Sequence, residues 1–574
     1  MKSTAEDVAR KKDLDAPYGD MSNLDVVQKL VGALLYSTKD SRVLAALPAY
    51  RDEAIDLAGQ AVCANLEYRG VFYNCDGVGY ILLRGQEDKP VRISPDDTRF
   101  LDLLREYGIG TGTVAEARIG KLLGIRVIQD GSKTSIRHCF YYNPATEAAY
   151  VCEERGWLLR VTKSRIDRVA NGTDDQLFEF NDSYQSYRVD VENLFLTTCG
   201  TDRAFVPSNI LATVFEGIQF ESGRLTVDQQ MILVSAWIIM LILSGLIVEK
   251  PILQVIGPSG SGKTSMLEII GRTFFGPEFR VERLPEDVKE FENAVINNDF
   301  LAIDNTTGVP KKIRASICQT VTGFQVTRRE LFTTMGQVKR PSTATLAIAG
   351  ITKVLNETEI ANRSLEIQIQ ERPPGHNISE QELHNQIDEM RADLMGELLW
   401  RVQLVLKALD AQRDYTPTTS LRLAGFASVL LRVARHEGWE AEARELIDAW
   451  HEEQTEAALE GDDLAEILRL WMSQSNWKPV TLSPEELNRQ LSNVSSNHSI
   501  RETSWGNRPQ WLGMHLQRSI ASYRRLFGLK IIPDKHSKSN RYSFAPTEDQ
   551  LSRIRSQRSG TESSGDPNVH DQVL

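Results

Sequence analysis

Residues Gly257 to Thr264 read G-P-S-G-S-G-K-T, set between the apolar run PILQVI and the stretch SMLEIIG. Strand, glycine-rich loop and helix in that order are what a triphosphate requires. Glycines let backbone N–H groups turn inward around a β-phosphate, and the positive end of the next helix points at the same spot. The cradle would consist of Gly257, Pro258, Ser259, Gly260, Ser261, Gly262, Lys263, Thr264 and Ser265. Lys263 would reach the β- and γ-phosphates, and the Thr264 hydroxyl would ligate Mg²⁺, so ATP and Mg²⁺ are the expected ligands. The plainer alternative is a glycine turn that merely precedes Lys-Thr.

A second signal lies 41 residues beyond Lys263. FLAIDN, residues 300–305, is an apolar strand ending in an acid, the position of the second magnesium-anchoring carboxylate in phosphate-loop enzymes. Asp304 is therefore paired with Thr264 at the metal; an aspartate capping a turn is the alternative. Asn305 stands where a glutamate would polarise water. Asparagine accepts no proton at neutral pH, although its carbonyl can orient water. Phosphoryl transfer rests mainly on positioning and charge stabilisation. Asn305 is thus compatible with turnover, either slow or drawing a base from elsewhere, such as Glu330. A chain that only binds nucleotide also stays open.

These residues need a scaffold. Alternating helices and apolar strands over 196–372 predict a parallel sheet covered by helices. Within that span, two strand-like runs flank a Met335-Gly336 turn, the apolar strand TLAIAGI leads to Thr352, and Arg363 stands just ahead of SLEIQI. This order resembles that of AAA+ ATPases. Among them it is similar to superfamily 3 helicases and the replication ATPases of phages, plasmids and integrated elements. The resemblance covers roughly 200–372 and departs at Asn305, where those helicases more often carry an acid. It implies that Thr352 senses the γ-phosphate and that Arg363 reaches the nucleotide of a neighbouring subunit. It also implies that the hairpin lines the pore of a ring, a hexamer by analogy. Lys263, Asp304, Asn305, Thr352 and Arg363 are then the catalytic set.

Composition sets limits. The 574 residues exceed what one core can hold, and 41% hydrophobic with 25% charged residues is ordinary for a soluble chain. A net charge of −12 leaves no general basic field, so a nucleic acid would need local patches. The six cysteines include no C-x-x-C pair, which argues against zinc or disulfides and fits a reducing cytoplasm. Residues 231–248 carry no charge and just reach spanning length, but a core strand follows at once, so a buried helix is expected.

The predicted class is α/β, a P-loop AAA+ ATPase core with an N-terminal α+β domain and a C-terminal helical and winged-helix-like part. The expected divisions are 1–195, 196–372, 373–474 (opened by an S-x-x-E capping box at Ser379 and Glu382), 475–546, and a disordered tail over 547–574. Two basic patches offset the acidic balance. Arg328, Arg329, Lys339 and Arg340 flank the hairpin, with Phe324 and Phe332 between them, and would suit a single DNA strand held by its phosphates. Solvated edge-strand charges are the bland reading. Residues 497–548 hold nine Lys/Arg against three acids in a helix-then-hairpin pattern, that of a winged helix on duplex DNA or on protein. The favoured function is an oligomeric ring ATPase moving on DNA, a replication helicase of a mobile element. The alternative is a nucleotide-dependent switch or assembly ATPase, in anti-phage defence or in loading a partner onto DNA.

Overall fold

The computed structural model describes residues 20–36, 48–180, 184–194, 203–207, 209–304, 309–323, 325–329, 337–341, 344–351, 358–372, 379–457, 462–498, 508–518, 520–533 and 540–547. The expected tail after 547 lies outside them.

The chain begins with helices α1 (Leu24–Tyr36) and α2 (Pro48–Arg69). Strands β1 (Gly70–Cys75), β2 (Val78–Leu83) and β3 (Val91–Arg92) follow, then α3 (Thr98–Glu106), α4 (Val114–Asp130) and β4 (Ser132–Thr134). Their sheet runs β3-β2-β1-β4. Asp97 and Thr113 start α3 and α4 by accepting backbone N–H bonds, which satisfies donors the first helical turn leaves open. Val27, Leu66, Phe72, Leu104 and Leu123 share one core here.

The short pair β5 (Ile136–Arg137) and β10 (Leu177–Phe178) encloses an antiparallel meander. Its strands are β6 (Phe140–Asn143), β7 (Ala148–Glu154), β8 (Trp157–Val161) and β9 (Ile166–Ala170). The side chains do not divide at residue 195. Phe140, Tyr142, Val151 and Leu159 belong to the same continuous core as the parallel sheet that follows.

That sheet is approached by α5 (Asn209–Thr213) and α6 (Val227–Ile242). Thr226 and Gln229 close a capping box at the start of α6, and every residue from Leu233 to Ile242 is buried. The uncharged stretch is therefore a core helix, and no helix among the described residues is long and apolar enough to cross a membrane. Next come β11 (Ile252–Ile256), α7 (Lys263–Phe275), β12 (Glu282–Arg283), α8 (Val288–Asn297), β13 (Phe300–Asp304) and α9 (Lys311–Val321). The ribbon β14 (Gln325–Arg329) and β15 (Gln337–Pro341) precedes β16 (Thr345–Gly350), α10 (Thr358–Ala361) and β17 (Ser364–Gln368). The sheet order is β12-β13-β16-β11-β17, all parallel. Its central strands are mostly apolar and almost wholly buried, as expected of strands covered on both faces, with Gln254 and Thr345 the polar members.

Helix α11 (Glu380–Ala411) starts where expected, with the Ser379 hydroxyl accepting from the Glu382 N–H at 3.2 Å. Helices α12 (Ala424–Glu437) and α13 (Glu440–Ala457) complete the layer over the sheet. The last region has its own core and reads α14 (Asp463–Gln474), β18 (Val480–Leu482), α15 (Pro484–Asn497), α16 (Pro509–Arg518), α17 (Ile520–Phe527), β19 (Leu529–Pro533) and β20 (Asn540–Phe544). The three strands pair in the order β18-β20-β19.

Candidate phosphate-binding site

Strand β11 sits between β16 and β17, and the loop leaves its C-terminal end beneath the start of α7. A Cβ at Gly257 would fall 2.2 Å from the Ile369 carbonyl oxygen, so only glycine fits there. Gly260 and Gly262 take left-handed φ angles of +79° and +93°, which lets successive backbone N–H groups converge. Pro258 and Ser259 form an exposed rim with Gly260, Ser261 is buried, and Ser265 is half-buried. Lys263 is 8% exposed. Its ammonium donates to the carbonyls of Gly257 at 2.8 Å and Pro258 at 2.6 Å. Burial lowers its pKa, while the nearby Asp304 pulls it upward. The Thr264 hydroxyl donates to Asp304 Oδ2 at 2.6 Å. Residues 40 apart, one from α7 and one from the tip of β13, thus supply two oxygens at one point. That donor set fits a hard cation, which takes one or two protein oxygens and fills the rest with water and phosphate.

Helix α7 is fixed at its far end by α11. Arg391 donates to the carbonyls of Thr273 and Phe274, both at 3.1 Å, satisfying acceptors the last turn leaves open. Arg272 pairs with Asp388 at 2.5 Å, and Glu268 meets the His384 ring at 2.9 Å. These three ties lock the orientation of the helix whose N-terminus faces the loop.

The other expected residues are distributed unevenly. Arg363 stands at the N-terminal end of β17, the edge of the sheet away from the loop, and is 5% exposed. Asn305 and Thr352 lie outside the described residues, as do Phe324, Glu330, Phe332 and the Met335-Gly336 turn. The expected strands of the basic hairpin are present and pair antiparallel, Arg328 opposite Val338 and Thr327 opposite Lys339. By this register positions 328 and 340 share one face of the ribbon, and positions 329 and 339 the other. One residue near the loop escaped the sequence reading. Arg372, four residues past β17, lies against Gly262. Its signal was weak, an arginine ahead of Pro-Pro with no motif of its own.

Residues 222–445 match the family model described as "Actinomycete integrative conjugative element replication protein". This central stretch is similar to a replication protein of a mobile element. The matched span contains the loop, Asp304, Arg363 and Arg372 together. No curated protein matches the chain. Among solved structures, the apo A form of the NrS-1 C-terminal region is 9% identical at a TM-score of 0.35, covering 85% of this chain and 98% of that one. A second apo structure, of NrS-1 residues 305–718, is 10% identical at a TM-score of 0.34, covering 84% and 98%.

Proposed function

We propose that the chain is an Mg²⁺-dependent ATPase working as an oligomeric ring motor on DNA, a replication helicase of a mobile element. The observation that carries this reading is the meeting of Thr264 and Asp304 beside a loop whose lysine is buried and whose glycines are conformationally required. The strand order β12-β13-β16-β11-β17, with the loop after the strand next to the edge, is that of AAA+ ATPases and supports the class. The similarity to a mobile-element replication protein supports the setting. The order helix, strand, three helices and hairpin in the last region resembles that of a winged helix and supports a DNA contact.

In this reading Lys263 releases the loop carbonyls and turns to the β- and γ-phosphates, while the α7 N-terminus and the loop N–H groups hold the chain of phosphates. Thr264 and Asp304 would hold the magnesium, which neutralises charge on the phosphate oxygens. Asn305 would orient water, Thr352 would sense the γ-phosphate, and Arg363 would act across a subunit boundary. The ribbon residues Arg328, Arg329, Lys339 and Arg340 would grip a single strand. The test is ATP hydrolysis coupled to strand displacement on a forked DNA, with Lys263→Ala as control. Displacement by the unaltered chain alone is the expected result, and hydrolysis persisting in the control would overturn the assignment.

A second reading, a nucleotide-dependent assembly switch, draws on the burial of Arg363, which does not project from this chain. ATP-dependent oligomerisation without displacement would favour it.

A further inference from the structure

Strand β17 is flanked by two arginines, one before its first residue and one four residues past its last. Arg363 precedes Ser364, while Arg372 follows after the strand has run alongside β11 to the loop. Gln368 stands opposite Ile256, and the Ile369 N–H donates to the Ile256 carbonyl at 2.8 Å, so the chain past β17 is stitched to the strand that ends in Gly257. Arg372 is thereby delivered to the rim of the loop by its own chain. A Cβ at Gly262 would come 2.5 Å from its Nη2, 2.9 Å from its Cζ and 3.0 Å from its Nε. The guanidinium thus covers the residue immediately before Lys263. It is half-buried, and its Nε is enclosed with no hydrogen-bond acceptor among the described residues. An enclosed, unsatisfied donor on a permanently charged group is costly, and it persists where something else supplies the acceptor. The neighbouring backbone already aims N–H groups and a helix N-terminus at the same region, which suits an anion. A planar fork of donors matches phosphate oxygens better than any other side chain does.

We propose that Arg372 binds the phosphate chain of the nucleotide in cis, beside Lys263, and completes the site within a single chain. The proposal rests on the ATP-site reading above. It divides the labour of β17: one arginine serves the chain's own loop, and the other lies at the far edge of the sheet, away from it.

The test is titration of the full chain with a fluorescent ATP analogue and Mg²⁺, at several protein concentrations, for the unaltered protein, Arg372→Ala and Arg372→Lys. Loss of a charged hydrogen bond predicts affinity about tenfold weaker or worse for Arg372→Ala. The loss should be the same at every protein concentration, and the melting temperature without nucleotide should be unchanged. Arg372→Lys keeps the charge and should recover part of the loss. Affinity of Arg372→Ala within about twofold of the unaltered chain would overturn the role, since that difference is well under 1 kcal/mol. A loss confined to high protein concentration would also overturn it, because it would mark a trans contact. If Arg372→Ala melts lower, Arg372→Lys decides: partial recovery supports a charge contact, and no recovery makes the residue structural. No uptake by the unaltered chain would sink the ATP-site reading itself, and this role with it.

Discussion

At the glycine-rich loop the Lys263 and Thr264 side chains turn inward onto their own chain, whereas in the last region several basic side chains turn outward. Lys263 donates to loop carbonyls and Thr264 to Asp304, so a ligand that takes up either side chain must displace those bonds. In the last region Arg524, Lys530 and Arg541 are exposed, Arg508 stacks on the half-exposed Trp511, and Met514 and Ile532 add open apolar surface. An inward site selects a small ligand by competition with internal hydrogen bonds. An outward surface offers charge and area without that competition and suits a macromolecule. The first can be altered by one side chain, and the second should respond only by degrees.

The sharpest break is Lys263→Ala, which should remove ATP binding or hydrolysis altogether; normal turnover would dissolve the contrast. Asp304→Ala comes next, with hydrolysis falling by about a hundredfold or more, the scale of losing one preorganised charge contact at the reacting phosphate. Binding should largely survive, and equal losses in both would mean Asp304 only holds Thr264 in place. Arg363→Ala should spare binding and cut turnover, measured as hydrolysis against protein concentration. An unchanged rate together with a lower melting temperature would leave its burial as its whole role. Removing the charges at Lys339 and Arg340 should weaken single-strand binding and shallow its salt slope by about 1.4, from two lost phosphate contacts. An unaltered slope would reassign the ribbon.

The smallest effect concerns acid. His451 on α13 is held down to about 4 by burial, with Arg525 adding to the shift. Its ordinary value near 6.5 applies to the unfolded chain. Between those values the unfolded state binds a proton that the folded state refuses, so stability falls as pH drops through that window. Melting followed from pH 7 to 4 should show the decline, and His451→Gln should flatten it.

Legibility followed locality. The loop was readable because strand, glycines, lysine and threonine are contiguous, and Asp304 because an acid ends an apolar run. The capping pairs at Ser379 and the hairpin strands were readable for the same reason. The continuity of the core across residue 195 was not, because Phe140 and Leu159 join the parallel sheet's core through packing that no local pattern announces. Arg372 was missed likewise, since its place depends on β17 aligning with β11. The anchoring of α7 by α11 joins residues more than 100 positions apart, such as Arg272 and Asp388.

That anchoring has a mechanical corollary. Besides the two carbonyls ending α7, the Arg391 guanidinium holds the Gln185 carbonyl at 2.8 Å and stacks over Tyr187, 4.5 Å from its ring centroid. One side chain therefore splices the rear of α7, the long α11 and the segment around 184–189 into a single lever. A tilt of that helix on ligand uptake at its front end would be passed to the segment around 184–189, about 70 residues upstream of the loop.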